Sequence, residues 1–60
     1  MKRFVVTMID GTKYRTESTD YDTAINEAVL KSITVVRSWP MLPQEIQEAI
    51  TPKYVELVES

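Results

Sequence analysis

Val6-Thr7-Met8-Ile9-Asp10-Gly11-Thr12-Lys13-Tyr14-Arg15 is the stretch whose reading decides how this chain folds. Asp-Gly between two runs rich in β-branched and aromatic residues is a strong short-range signal for a β-hairpin. Two registers are open to it. A two-residue type I′ turn sets Val6 opposite Arg15 and Met8 opposite Lys13, which mixes apolar and charged side chains on one face. A three-residue loop, Ile9-Asp10-Gly11 with a glycine bulge, sets Met8 opposite Thr12 and Val6 opposite Tyr14. Phe4, Val6, Met8 and Tyr14 then share one face, and Val5, Thr7, Lys13, Arg15 and Glu17 the other. A slip of one residue turns every side chain of a strand to the opposite face. Only the second register separates apolar from charged groups, so the bulged loop is expected, with strands over residues 2–9 and 12–17.

Downstream of the hairpin, Ser18-Thr19-Asp20 supplies capping groups, and Asp20 and Asp22 place negative charge where a helix N-terminus favours it. Tyr21, Ala24, Ile25, Ala28, Val29 and Ser32 follow the i, i+3, i+4 spacing of one buried stripe. A helix to about residue 31 is therefore expected to pack on the hairpin's apolar face. Residues 33–38 are read as a third strand, because successive β-branched residues suit helices poorly. Against that, Val36 extends the helical stripe and no Gly, Asn or Pro intervenes. Pro40 ends either form. Pro43 opens a second helix at its N1 position, with Glu45 at N3 and Met41 placed to staple onto Ile46. Ile46, Ala49 and Ile50 make its narrow apolar stripe, and Thr51-Pro52 stops it. Residues 53–59 fit a last strand with Val55 and Leu57 inward, or a third helix begun by Pro52. The strand is favoured because it covers a hairpin edge that would otherwise invite aggregation. The expected fold class is α+β, in the order ββα(β)αβ, as one domain over residues 1–60.

Sixty residues bound the energetics tightly. Chains this short bury only about 60% of their unfolded surface, and small domains usually depend on a staple. Cys and His are both absent, which removes disulfides and any zinc or soft-metal site. Self-association is the staple left, so a homodimer or higher homo-oligomer is expected. The charged start at Lys2-Arg3 is followed by an apolar run that ends at Asp10-Gly11. That run is too short for a signal peptide or a membrane span, so a cytoplasmic chain with no membrane partner is expected. Lys2, Arg3, Lys13 and Arg15 against Asp10 give residues 1–15 a net +3, whereas three cations against eight carboxylates give residues 16–60 a net −5. A dedicated duplex-binding module should be more basic than this.

Without His or Cys there is no obvious base or nucleophile, and the single glycine is committed to a turn instead of a phosphate loop. No enzyme, catalytic residue, metal or cofactor is expected, and Asp20-x-Asp22 is read as a capping pair. Lys2, Arg3, Lys13 and Arg15 form a candidate anion patch if they share the outward hairpin face, and an ordinary solvated face otherwise. Glu45, Glu48, Glu56 and Glu59 form a candidate acidic surface on the same terms. Trp39, Met41 and Leu42, with Ile46, are the candidate interface. In Ser38-Trp39-Pro40-Met41-Leu42-Pro43 they serve either as a plug in the core or as the aromatic-plus-Met centre of a binding hot spot.

Two resemblances bear on function. The Phe-Val-Val hairpin at residues 4–6, the Tyr21-x-x-Ala24-Ile25-x-x-Ala28 helix and the acidic end resemble the plan of small phage early proteins. That group includes inhibitors of host RNA polymerase and of host defence systems. The resemblance implies a stoichiometric inhibitor of a bacterial protein. Residues 38–50, with Met41-Leu42-Pro43-Gln44-Glu45, resemble a segment of the phage uracil-DNA glycosylase inhibitor family, in which a Met-Leu-Pro run opens an acidic helix. There, Glu45 and Glu48 would match helix positions that engage a DNA-binding cleft. Arg37 stands where that family has an acidic residue, and the chain is shorter and far less acidic. The function expected is a non-catalytic protein-binding module, a homo-oligomer that inhibits a bacterial host protein. The alternatives are a nucleic-acid-associated regulator using Lys13 and Arg15, or a DNA mimic using the acidic unit.

Overall fold

A computed structural model describes residues 1–59. The chain forms β1 (Lys2–Met8), β2 (Lys13–Ser18), α1 (Tyr21–Arg37), α2 (Pro43–Ile50) and β3 (Pro52–Glu59). The strands make one antiparallel sheet in the order β2-β1-β3, so the class is α+β. The hairpin adopts the bulged register: Val6 lies opposite Tyr14 and Thr7 opposite Lys13. Met8 donates its N–H to the Thr12 carbonyl at 2.8 Å, and Gly11 donates to the Met8 carbonyl at 3.0 Å. Gly11 has φ of 95°, the left-handed conformation that the bulge demands and that glycine adopts at little cost. Asp10 completes the turn, accepting from the Thr12 N–H at 2.9 Å and the Thr12 hydroxyl at 3.0 Å.

The apolar face of the sheet carries the core. Phe4, Val6 and Met8 are buried beneath Ala24, Ala28 and Ser32 of α1, and Tyr14, Val29 and Val55 pack around them. These α1 residues are small, so the helix lies close to the sheet, and β2 meets it with the small side chains of Thr16 and Ser18. Asp20 caps α1 by accepting from the Thr23 N–H at 2.8 Å. That hydrogen bond holds the Asp20 carboxyl below its ordinary value, with help from the nearby Lys2 charge. Burial, and secondarily the Asp10 charge, pushes the Tyr14 phenol up.

Residues 33–38 differ from expectation. They form no third strand; α1 runs unbroken to Arg37 and ends at Ser38, where the Ser38 N–H bonds back to the Val35 carbonyl at 3.0 Å and the Trp39 N–H to the Val36 carbonyl at 3.4 Å. Four β-branched residues cost a helix about 2 kcal/mol in total. Half-burial of Ile33 and Val36 along the same stripe offsets much of that cost. The Thr34 and Ser32 hydroxyls bond back to the Leu30 and Val29 carbonyls, so no polar group in this stretch is stranded. A strand here would also have no place beside β1, whose two sides are taken by β2 and β3.

Pro43 stands in the first turn of α2 and Leu42 at the N-cap, with Met41 and Ile46 both half-buried at the staple positions. Ala49 is the buried residue of α2. Residues 52–59 are a strand and not a third helix. β3 pairs with β1 through Val6–Val55 and Phe4–Leu57, with irregularities near each end of the ladder. Two edges therefore bound the sheet, β2 on one side and β3 on the other.

Candidate interaction surfaces

Alternation along each strand sends one set of side chains away from the helices. Arg3, Val5 and Thr7 on β1 thus share the face away from the helices with Lys13, Arg15 and Glu17 on β2 and Tyr54, Glu56 and Glu59 on β3, where Thr7 is buried and Val5 half-buried beneath their longer neighbours. The rows alternate in charge. Arg3 lies between two carboxylates, 3.8 Å from Glu17 and 3.6 Å from Glu59, all three exposed. Exposed pairs of this kind contribute at most about 1 kcal/mol each, but they neutralise Arg3 as an anion ligand. Arg3, Val5, Arg15, Glu17 and Glu59 line a shallow concavity of about 480 Å³. Its walls carry both signs.

The four cations grouped by sequence are therefore divided. Lys2 pairs with Ser18 in the register of the buried face, opposite to Arg3, and influences Asp20 instead. Only Lys13 and Arg15 remain side by side on β2, with Glu17 two residues on. The acidic group is divided as well. Glu45 and Glu48 belong to α2, Glu48 half-buried, whereas Glu56 and Glu59 belong to the open sheet face. Among the described residues, no three acidic side chains converge as a metal site would require. No helix among them is long and apolar enough to cross a membrane.

The stretch after α1 is different in kind. Trp39 is 65% exposed and Leu42 67% exposed, while Met41 and Ile46 are half-buried beside them in sequence and structure. Pro40 and Pro43 restrict the backbone on either side. Trp39 is thus not a plug in the core of the single chain; it stands on a stiff loop between the two helices.

Compared with protein-family models, with curated proteins and with solved structures, the chain matches none.

One contact at the sheet edge was illegible in the sequence. Lys31 reaches back from α1 and donates its Nζ to the Arg15 carbonyl at 2.7 Å. The partners are 16 residues apart, and nothing in the spacing of the helix announces the bond, since Lys31 reads as a solvated position. Tyr54 and Val58 were likewise not singled out, and Leu57 was expected inward, yet all three leave large apolar area uncovered along β3.

Proposed function

We propose that this chain is a non-catalytic protein-binding module that acts by stoichiometric contact. Its binding surface is the loop carrying Trp39, Met41 and Leu42, backed by Ile46. The observation that supports the reading most is the two-thirds exposure of both Trp39 and Leu42 on a proline-bounded segment. Burying a Trp and a Leu from such a segment gives a partner much apolar area at little conformational cost. The resemblance to small phage early proteins supplies the class of partner: a bacterial host protein, met in the host cytoplasm and inhibited by occupation. The chain acts as a homo-oligomer in this reading, since among the described residues its own core holds six well-buried apolar residues, three of them alanines. The nucleic-acid alternative is weakened by the ion pairs of Arg3 and by the position of Lys2 on the other face.

The test is a pull-down from bacterial lysate with the tagged chain and with Trp39→Asp, each read by mass spectrometry and followed by calorimetric titration of the captured protein. The expected result is a host protein bound in a fixed ratio by the native chain and lost with Trp39→Asp. Equal capture by both forms would overturn the assignment of this loop.

A further inference from the structure

The two edges of the sheet are not alike. In the hairpin, the bonded pair at Met8 and Thr12 sets the phase, so residues 14, 16 and 18 bond inward to β1 and residues 13, 15 and 17 direct their backbone groups outward. The Arg15 carbonyl is one of those outward groups, and Lys31 occupies it. Charged Lys13, Arg15 and Glu17 flank the same edge. This edge is closed to another strand in the way natural sheets protect themselves.

On the other side of β1, Val5 and Thr7 direct their backbone groups to β3, where Glu56 and Tyr54 face them. By the same alternation, Val55 and Leu57 direct their N–H and C=O groups to the free edge. Among the described residues these groups have no hydrogen-bond partner. Beside them lie Leu57 and Val58, exposed at 38% and 59%, and the half-buried Val55.

We infer that the chain assembles as a two-fold dimer in which β3 pairs antiparallel with β3 of a second copy, and that Lys31 stops growth at that stage. The occupant is a second copy because the edge is self-complementary. A register with Val55 opposite Val55 of the second copy joins outward-facing backbone groups, sets Tyr54 opposite Glu56 and lays the Lys53 stem opposite Leu57, with no like charges opposed. Shifting the axis to Glu56 would set two carboxylates directly opposite each other, which is disfavoured. The apolar face then continues from Val6 and Val55 into the second copy, extending a core that is thin in one chain. Closure follows from the asymmetry of the edges. Pairing uses both β3 edges, and the two outer edges that remain are β2 strands held shut by Lys31.

This inference rests on the homo-oligomeric part of the reading above, while leaving the Trp39 loop free for a foreign partner. The test uses the full chain, with mass by light scattering across a concentration series and amide exchange followed by NMR. A dimer is expected, with the Val55 and Leu57 amides gaining protection as concentration rises and the Arg15 amide unchanged. Val55→Pro removes an outward donor that β1 does not use and should weaken dimerisation about tenfold or more. Leu57→Lys, at a position already more than a third exposed, should do the same with the fold intact. Lys31→Met should carry assembly beyond the dimer. A monomer at every concentration overturns both the homo-oligomer and the pairing, including when Val55 and Leu57 become protected only on adding a foreign protein. A dimer that survives Val55→Pro and Leu57→Lys but dissociates with Trp39→Ala overturns the pairing alone.

Discussion

The rings of Phe4 and Tyr21 meet edge to face, with centroids 4.9 Å apart and planes inclined at 60°. The contact ties the middle of the central strand to the first residue of α1, so hairpin and helix share one anchor. Phe4 is fully buried while Tyr21 is half exposed. Phe4→Ala should cost about 3–5 kcal/mol, enough to unfold so small a domain, and Tyr21→Ala about 1 kcal/mol from the lost ring contact. Urea titration followed by circular dichroism checks both.

Gly11→Ala isolates backbone strain from crowding. A Cβ at this position would meet nothing within 4 Å, yet φ is +95°. The expected loss is about 1–2 kcal/mol, and Gly11→Asn should lose less because Asn tolerates left-handed backbone. If the two variants melt alike, the strain lies elsewhere.

Thr16 and Ser18 have buried hydroxyls with no hydrogen-bond partner among the described residues. Thr16→Val keeps the shape and removes the stranded oxygen. Relief of an unsatisfied group contributes about 1 kcal/mol or more, so thermal unfolding should move up by about 4–8 °C in a domain of this size. An unchanged or lowered midpoint would mean that the hydroxyl finds a partner in solution.

Asp20 gives the fold a pH dependence of known sign. Its folded carboxyl titrates below the ordinary value of 3.8, chiefly because the Thr23 N–H favours the charged form. The stabilisation is complete above that value and is lost as pH falls through the lower, folded value. Asp20→Ala should lower the melting midpoint at neutral pH, and the gap between native and variant should close under more acidic conditions. Melting curves from pH 7 down to pH 2 read this directly.

Much of the architecture was legible because local and long-range preferences agreed. Asp10-Gly11 marked the turn, and the sorting of Val6 and Met8 from Lys13 and Arg15 chose its register. Pro43 and Pro52 bounded α2, and the need to cover an edge anticipated β3. Residues 33–38 were misread because β-branching argues for a strand residue by residue, whereas the outcome turned on β1 having no free side and on Ser32 and Val36 continuing a stripe. The candidate patches were legible as charges but not as surfaces. Lys2 and Arg3 are neighbours in sequence and therefore opposite in a strand, and the Glu59 that neutralises Arg3 arrives from the far end of the chain. Exposure of Trp39 depends on how far α1 carries the chain before it turns, which composition does not reveal.

The small residues Ala24, Ala28 and Ser32 give α1 a low seat on the sheet. α1 is a 17-residue rod that begins over Phe4 and ends next to Trp39. Its seating angle is therefore multiplied along some 25 Å of helix before it reaches the loop. A methyl group added under Ala28 would tilt the rod and swing the indole at its tip. Aim at the exposed end is set at the buried end, so variation hidden beneath the helix would re-aim Trp39 without touching the loop itself.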